Sequence, residues 1–362
     1  MRILQVCPEY IEAGGISVHV RNISERLAKD HDVTVYTSAN DRLGLPRLEV
    51  RNGVTVERFK CYSPGNAYFF SWELPLRIRK VKFDIVHGHG YHAFPLHLST
   101  LAKCKRFFVT THFHGAGHTT LRDCLITLLK PLGKRTLVRA EKIITVSEYE
   151  KSLVRSQFKI NDDKLLVIPN GVDFAEFSNL RKQNSGVRSI LYVGSLTAHK
   201  GPQYLVEVLP RLPKDVVLEI VGNGPVEQFM KRRASELKVY DRVRFYKDLS
   251  RKQLLRMYAD ANVFAMLSAH EAYSIAVAEA LTAGTPCVVA KTSALSEWVD
   301  GQTCFGVDYP ISLGQLAKRV NQVLDNRVDN KAMKKWMGTK IIDWNDVARR
   351  LEHVYDGSRG ID

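Results

Sequence analysis

The segment SAHEAYSIAVAEALTAGTPCVVA, residues 268–290, contains the local pattern on which the fold assignment depends. A helix-length, alanine-rich stretch begins near Ser274 and stops at Gly284, a residue type that commonly ends helices. Pro286 and a short apolar run follow at once, as expected for a buried strand. A helix that leads directly into a buried strand is the repeating unit of a parallel α/β sheet.

The same alternation extends along the whole chain, where short apolar runs are separated by amphipathic segments of helix length. Continuous apolar strands that alternate with helices indicate parallel sheets covered on both faces. Thirteen such runs in 362 residues favour two open α/β domains over a single barrel, although the pattern alone is compatible with a barrel. The runs are residues 2–7, 32–37, 54–59, 84–87, 107–112, 142–146, 165–169, 189–194, 216–222, 243–246, 263–267, 286–290 and 303–307.

A polar stretch without periodicity, residues 173–188, is the predicted boundary between the two domains. Gly171 and Gly186 lie at its two ends and are the predicted hinge. The predicted parts are an N-terminal domain of residues 1–183, a C-terminal domain of residues 184–340 and a closing helical segment of residues 341–362.

The chain is strongly basic, with 53 lysines and arginines against 38 aspartates and glutamates and a formal net charge of +15. This balance favours anionic partners such as nucleotide phosphates, nucleic acid or an acidic membrane surface. General solubility with one phosphate site explains the charge equally well. No motif combines aromatic and basic residues as nucleic-acid readers do, so we expect no nucleic-acid partner.

Residues 121–141 combine leucines with lysines and arginines and are interrupted by Pro131. One interpretation is a basic amphipathic surface that lies on anionic lipid, and the other is a core-facing helix with a solvated basic side. No apolar run approaches the about 20 residues needed to cross a bilayer. The six cysteines include no C-x-x-C pair. We expect a cytoplasmic protein whose membrane contact, if any, is peripheral and on the inner face of the cell membrane.

Two loops that follow predicted strands carry residues suited to binding phosphate. Gly14 and Gly15 follow the first strand and precede a helix, where a ligand can approach bare backbone. Their spacing is not G-x-G-x-x-G, which disfavours a nicotinamide dinucleotide. Lys200 follows the strand that ends at Gly194, and a lysine beside backbone amides suits a diphosphate. A tight structural turn and an exposed lysine are the simpler alternatives.

Glu271 and Glu279 are eight residues apart in the opening segment. If Glu271 precedes the helix and Glu279 lies two turns inside it, both side chains point toward the same cleft. Glu279 is flanked by alanines, where a charged side chain needs partners, and sugar hydroxyls are suitable ones. The helix N-terminus near Ser274 offers amide groups to a phosphate.

The spacing of Glu271 and Glu279, followed by Ala-Gly-Thr-Pro at residues 283–286, resembles that of the retaining GT-B glycosyltransferases of family 4. The resemblance implies an α/β fold of two Rossmann-like, doubly wound parallel-sheet domains that face each other across a cleft. It implies that the first domain binds the acceptor, the second binds the donor, and the closing helix crosses back to the first. The further matches, in chain order, are residues 14–15, 168–173, 194–201, 222–225 and 344–355.

The resemblance assigns the phosphate contacts. Lys200 is implied to bind the donor diphosphate, and the Gly14-Gly15 loop to close over the distal phosphate. The amides that hold this phosphate are implied to be those around Tyr273, Ser274 and Ile275. Ser195 occupies the position where family members usually carry an arginine.

The sugar contacts are also implied by the resemblance. Glu279 is implied to hold the nucleotide ribose and Glu271 to contact the transferred sugar. His112 is the best match to a histidine that touches the donor sugar at the end of a first-domain strand. His112, Glu271 and Lys200 are therefore the predicted catalytic residues.

Two departures from the family pattern bear on donor binding. Ser195 replaces the usual arginine, so one positive charge near the diphosphate is missing. Ser274 replaces the usual glycine and narrows the backbone angles that are accessible there. We expect donor binding to depend on another cation, for which His199 and Arg251 are the candidates.

The segment after the fifth predicted strand contains three histidines, of which His114 and His118 are alternates to His112 and candidates for the acceptor side. His87 and His89 lie at another strand end, where they either line the acceptor side or form hydrogen bonds at the sheet edge. A metal site made by His112, His114 and His118 is the rival interpretation. No carboxylate ligand is evident nearby, and this fold type generally works without a metal, so none is predicted.

Asp-His-Asp at residues 30–32 matches the D-x-D signature that binds metal and nucleotide in other glycosyltransferases. We discount it because it lies in a helix-to-strand turn at the opposite end of the sheet, where such residues are common.

The resemblance implies a retaining glycosyltransferase that moves a hexosyl unit from a UDP-sugar or GDP-sugar to an acceptor hydroxyl on a sugar or lipid-linked glycan. No cofactor beyond the donor is expected. A nucleotide-sugar epimerase of the same fold is one alternative. A non-catalytic protein that binds sugar nucleotides or a membrane surface is another, motivated by Ser195 and Ser274.

Overall fold

The computed structural model describes residues 1–12, 14–39, 44–64, 68–115, 120–180, 182–183, 186–325, 336 and 338–357. The chain forms two compact units, one made of Met1–Gly171 with Trp344–Asp362 and the other of Val172–Asp343. The division falls at residues 171/172, whereas the sequence analysis places it at 183/184. The residues in between bond to the second unit, since the Gln183 N–H donates to Asp260 Oδ1 at 2.7 Å.

Strands and helices alternate through both units, as the sequence pattern predicts. The strands are β1 (Arg2–Cys7), β2 (Asp32–Ala39), β3 (Leu48–Arg51), β4 (Val54–Lys60), β5 (Lys82–His89), β6 (Lys103–Thr110), β7 (Lys142–Thr145), β8 (Leu165–Val167), β9 (Gly171–Val172), β10 (Arg188–Val193), β11 (Val216–Val221), β12 (Val243–Tyr246), β13 (Val263–Met266), β14 (Cys287–Ala290), β15 (Cys304–Val307) and β16 (Ile342–Asp343). The helices are α1 (Gly15–Leu27), α2 (Glu73–Ile78), α3 (Phe94–Ser99), α4 (Thr120–Arg139), α5 (Glu148–Phe158), α6 (Phe174–Phe177), α7 (Pro202–Val208), α8 (Glu227–Glu236), α9 (Arg251–Asp260), α10 (Ile275–Thr282), α11 (Leu313–Asp325) and α12 (Trp344–Asp356).

The first unit is built on an eight-stranded sheet with the order β3-β4-β2-β1-β5-β6-β7-β8. All neighbouring strands in it are parallel except β3 and β4. The second unit contains a six-stranded parallel sheet with the order β12-β11-β10-β13-β14-β15. Helices cover these strands, so residues on both faces of the central strands, such as Ile3 and Leu4, are buried.

All thirteen predicted strands are present, and both sheets are open, so the barrel alternative is wrong. The prediction misses β3, whose four residues pair antiparallel at the sheet edge. This strand leaves Leu48 and Val50 exposed and lacks the continuous apolar run of a buried strand. The two-residue strands β9 and β16 are too short to produce a pattern.

The last helix, α12, belongs to the first unit, where it packs against α1. It buries Trp344, Val347 and Leu351. Gly171 lies directly against it, since a Cβ at this position would be only 2.8 Å from the Trp344 backbone nitrogen and Cα. The Trp344 backbone cannot move away to make room for a side chain, so this close packing requires glycine at position 171.

Parallel pairing gathers the carboxyl ends of the strands at one edge of each sheet. In the first unit, the ends of β5 and β6 bring His89 and Thr110 into register as partners. In the second unit, the loops after β10 and β13 begin at the same edge. Lys200, Glu271 and His112 lie on loops that begin at these edges.

Candidate active site

Lys200 lies on the loop after β10, and this loop is fixed against the end of β13. Gly201 adopts φ 73°, and a Cβ on it would overlap the carbonyl oxygen of Leu267. Only glycine permits this approach without strain. The Ala269 N–H donates to the His199 carbonyl oxygen at 2.7 Å, which joins the two loops beside Lys200.

The two loops bring Lys200 and Glu271 together as an ion pair. Lys200 Nζ lies 2.7 Å from Glu271 Oε1, and both side chains are largely buried. The same carboxylate oxygen accepts a hydrogen bond from Ser268 Oγ at 2.9 Å. The Glu271 N–H donates to Ser293 Oγ at 2.9 Å, which fixes the backbone. A cation and a carboxylate are therefore preorganised at the end of β13.

Glu279 lies inside α10 and is buried against a second cation. Arg251 Nη1, on α9, lies 2.6 Å from Glu279 Oε1. Arg251 also donates through Nε and Nη2 to Glu176 Oε2, at 2.9 and 2.7 Å. Burial raises the pKa of Glu279, and the positive charge of Arg251 acts in the opposite direction. Arg251 thus offsets part of the cost of burying this carboxylate.

Ser274 precedes α10 and adopts φ 79° and ψ 85°, a left-handed conformation that glycine tolerates and serine rarely adopts. The preceding residue, Tyr273, is held by two hydrogen bonds. Its hydroxyl donates to the Lys340 carbonyl oxygen at 3.1 Å, and its carbonyl oxygen accepts from Trp298 Nε1 at 2.8 Å. Ile275 is the first residue of α10. The backbone therefore follows a path suited to glycine even though serine occupies the position.

The remaining predicted donor contacts lie on strand-to-helix loops. Ser195 is exposed after β10, and its carbonyl oxygen accepts from the Tyr192 hydroxyl at 2.9 Å. Gly14 precedes α1 with φ 96°, and Gly15 is the first residue of that helix. A Cβ at either glycine would meet no atom of the described residues within 4 Å, so this backbone is open to a ligand.

Four histidines of the first unit lie close together at the carboxyl edge of its sheet. His87 and His89 are on β5, His112 follows β6, and His19 is on the buried face of α1. The ring centroids of His19 and His112 are 4.8 Å apart, and those of His87 and His89 are 4.2 Å apart. Burial lowers the pKa of His19 to about 4 and the pKa values of the other three well below their usual range. All four imidazoles are therefore neutral at physiological pH.

His87 has a partner for each ring nitrogen. Its Nδ1 lies 2.6 Å from the Tyr355 hydroxyl and its Nε2 lies 2.8 Å from Thr110 Oγ1. Tyr355 is on α12, so this histidine joins the last helix of the chain to the centre of the sheet. These bonds match the alternative in which His87 forms hydrogen bonds within the protein.

Glu150, on α5, supports the turn that carries His112. Its buried carboxylate accepts hydrogen bonds from the Thr111 hydroxyl, the Phe113 N–H and the Val146 N–H, the last at 2.6 Å. His112 lies between two of these donors and adopts φ 46°. Burial raises the pKa of Glu150 to about 7, although the three hydrogen bonds lower it.

Each of the two units matches the model of a known protein family. Residues 13–176 match the family model described as Glycosyltransferase Family 4, and residues 173–337 match that of Glycosyl transferases group 1. The chain is therefore a glycosyltransferase made of these two domains. Its two parallel-sheet α/β units have the GT-B architecture of that class of enzyme.

Relatives of this glycosyltransferase match over nearly its whole length. An uncharacterized glycosyltransferase of Methanocaldococcus jannaschii is 28% identical over 98% of both chains. The phosphatidylinositol N-acetylglucosaminyltransferase gpi3 subunit of Schizosaccharomyces pombe is 25% identical over 95% of this chain and 78% of its own. Among solved structures, Anabaena HepE in complex with UDP-glucose superposes with a TM-score of 0.77 at 16% identity, over 99% of this chain and all of that one.

In the second unit, two of the predicted site residues, Lys200 and Glu271, form an ion pair with each other. Arg251, which the sequence suggests as a cation for the diphosphate, instead forms an ion pair with Glu279. In the first unit, His114 is half-buried, with its ring 4.7 Å from that of His92. His118 lies outside the described residues.

Sequence reasoning missed His19 and Glu150. The signal for His19 is its position on the apolar stripe of α1, beside Val20 and one turn before Ile23. The signal for Glu150 is weaker, because an acidic residue after the N-cap Ser147 is ordinary in a first helical turn. Nothing local indicates that its carboxylate reaches the turn at His112.

We expect replacement of Glu150 by glutamine to change how stability depends on pH. In the folded protein the pKa of Glu150 is raised from 4.5 to about 7, so its protonated carboxyl group stabilises the fold. This contribution to the free energy of unfolding is complete below pH 4.5 and is lost as the pH rises through 7. Glutamine does not ionise. Across that pH range, the free energy of unfolding of the wild type should therefore fall by up to about 3 kcal/mol relative to that of Glu150→Gln. Hydrogen exchange of the peptide 107–115, measured at pH 5 and pH 8, tests this.

Glu148→Gln is the matched control, because this neighbour on α5 is exposed. Identical pH dependence in wild type and Glu150→Gln would contradict the assignment.

Proposed function

We propose that this glycosyltransferase moves a hexosyl unit from a nucleoside diphosphate sugar to an acceptor hydroxyl, with retention of configuration and no metal in the transfer step. The observation that supports this most is the Lys200–Glu271 pair, because it puts a cation suited to a diphosphate beside a carboxylate suited to sugar hydroxyls. UDP-sugars and GDP-sugars are the proposed donors. The UDP-glucose complex of the similar Anabaena protein favours the first of these.

In the proposed donor complex, Lys200 changes its partner. The diphosphate oxygens replace Glu271 at the ammonium group, and the released carboxylate accepts hydrogen bonds from hydroxyls of the transferred sugar. The Ser268 hydroxyl still donates to Glu271, so the carboxylate keeps one bond within the protein during the exchange. The ion pair therefore keeps both side chains in position in the absence of donor. Breaking it costs free energy, which the contacts with the donor must offset.

In the proposed complex, Lys200 is the main side-chain cation that contacts the diphosphate, because Arg251 is already bound to carboxylates. Glu279 accepts hydrogen bonds from the ribose hydroxyls, and Arg251 holds it in place through the 2.6 Å contact. Because Arg251 also bonds Glu176, its guanidinium is engaged by two carboxylates. With serine at position 195, the backbone amides at the start of α10 complete the diphosphate site.

The proposed chemistry needs no protein nucleophile. The acceptor oxygen forms a bond to the anomeric carbon from the face that the diphosphate leaves, while the bond from that carbon to the phosphate oxygen breaks. A leaving-group phosphate oxygen takes the proton of the acceptor hydroxyl. Lys200 and the helix amides stabilise the negative charge that develops on the diphosphate, a contribution of about 3–4 kcal/mol for one well-placed group. His112 remains the predicted contact to the donor sugar.

A donor survey followed by product analysis tests the proposed reaction. Thermal shift with uridine, guanosine and adenosine diphosphate sugars identifies the donor, because ligand binding raises apparent stability. We expect proton NMR of the product to show the anomeric configuration of the donor. An inverted product would refute retention, conversion of the donor without acceptor would indicate the epimerase, and binding without turnover would indicate a non-catalytic protein.

We expect Lys200→Ala to lower kcat/KM by roughly 10²–10³-fold, because it removes the main cation at the leaving group. Steady-state kinetics with the identified donor provide the measurement. Lys318→Ala, an exposed lysine on α11, is the matched control and should retain wild-type kinetics. Wild-type kinetics in Lys200→Ala would refute its proposed role.

The exposed side of α4 supports a lipid-linked acceptor. It carries the exposed apolar residues Leu128, Leu132 and Val138 together with the exposed basic residues Lys134 and Arg135. A surface that is both apolar and basic fits a membrane interface better than a purely solvated helix face. The similar fission yeast subunit is named for glycosylation of phosphatidylinositol. Within the described part of the chain, no helix has the length and low charge needed to cross a bilayer.

We expect the double variant Leu128→Asp with Val138→Asp to reduce binding to vesicles of phosphatidylcholine and phosphatidylglycerol by about tenfold, measured by co-sedimentation. Apolar contact is lost, and the two added negative charges are repelled by the anionic lipid. Phe229→Asp, at an exposed apolar position of the second unit, is the control. Equal sedimentation of the wild type with and without vesicles would contradict peripheral membrane binding.

A further inference from the structure

Three buried imidazoles of the first unit, those of His19, His89 and His112, lie close enough together for each to offer one ring nitrogen to a shared ligand. These nitrogen atoms all lie within 4.8 Å of one another. Among the described residues, no hydrogen-bond partner exists for His19 Nε2, His89 Nδ1 or His112 Nε2. A buried polar atom without a partner costs about 1–3 kcal/mol, so three in one place point to a ligand.

The opposite nitrogens of two of these rings determine which form of imidazole is present. His19 Nδ1 lies 2.7 Å from the amide oxygen of Asn170, and His89 Nε2 lies 2.7 Å from that of Gln5. An amide oxygen only accepts hydrogen bonds, so each of these nitrogens carries the proton. The nitrogens without a partner, His19 Nε2 and His89 Nδ1, therefore each carry a lone pair that can bind a ligand.

This arrangement suits a divalent metal cation, which accepts the lone pairs of several imidazole nitrogens at once. Histidines that bind metal almost always donate their other N–H to a carbonyl or carboxylate, as His19 and His89 do. Imidazole ligands without carboxylate favour zinc and its transition-metal neighbours over magnesium or calcium.

We propose that His19, His89 and His112 form a binding site for a divalent transition metal, with zinc as the reference ion. His112 is 8% exposed, whereas His19 and His89 are fully buried, so the fourth ligand enters beside His112. Zinc–nitrogen bonds of about 2.0–2.1 Å put tetrahedral ligand atoms about 3.3–3.4 Å apart, so the rings move closer together on binding.

The proposed site is additional to sugar transfer and does not depend on it. The side chains assigned to the diphosphate and the ribose, Lys200 and Glu279, lie in the second unit, whereas all three histidines lie in the first. Because His112 is also the predicted contact to the donor sugar, bound zinc would engage the side chain that this contact requires. Zinc is therefore expected to inhibit the enzyme rather than to assist it.

Zinc titration of tag-free, chelator-treated full-length protein, in competition with a chromophoric chelator, tests the site. We expect one equivalent to bind with micromolar or tighter affinity, and His19→Gln, His89→Gln and His112→Gln each to weaken it at least tenfold. His97→Gln is the matched control, since this histidine of the same unit uses both ring nitrogens, at 3.0 Å from Thr136 Oγ1 and 3.0 Å from the Tyr91 carbonyl oxygen. Circular dichroism reports whether each variant is folded.

Asn170→Ala tests the supporting hydrogen bond without removing a ligand, and we expect a 10–100-fold loss of affinity. A crystal soaked in zinc gives an independent readout in the wild type, as an anomalous-scattering peak among the three rings. Absence of stoichiometric binding, or of that peak, would overturn the proposal. Binding that is unchanged in all three glutamine variants would overturn it as well.

Discussion

Parallel strands end at the same edge of a sheet, and in this glycosyltransferase that constraint brings together the loops and strand ends that carry the candidate functional residues. In the second unit, the edge gathers the loop of Lys200, after β10, and that of Glu271, after β13. In the first unit it gathers His89, on β5, and His112, after β6. Helix packing buries both faces of each sheet, so its edge is where polar groups can meet a ligand.

The charged residues of the second unit form opposite pairs in the absence of donor. Lys200 is paired with Glu271, and Arg251 is paired with Glu279. Carboxylates in such sheltered positions would be costly without these cations, which explains why they are paired. The two pairs differ in the proposed complex, because the first must open to admit a diphosphate and the second persists beneath the ribose.

Most of the fold was predictable because a parallel strand buried on both faces leaves a continuous apolar run in the sequence. The edge strand β3 has no such run and was missed. Lys200, Glu271 and Glu279 could be chosen by motif, but their ionic partners could not, because the pairing of Lys200 with Glu271 spans 71 residues. The contact of Asn170 with His19 spans 151 and is likewise set by tertiary packing. The left-handed backbone at Ser274 was unexpected because serine normally avoids it.

The membership of α12 in the first unit has a consequence for biosynthesis. Tyr355, near the end of that helix, is buried, and its hydroxyl contacts His87 and Gln5 at the centre of the first sheet. A ribosome releases residues 172–343 before it releases this helix, so the amino-terminal unit cannot finish folding while its own last segment is still being made. The second unit, a continuous stretch, can fold first, which reverses the usual order in which nascent domains mature.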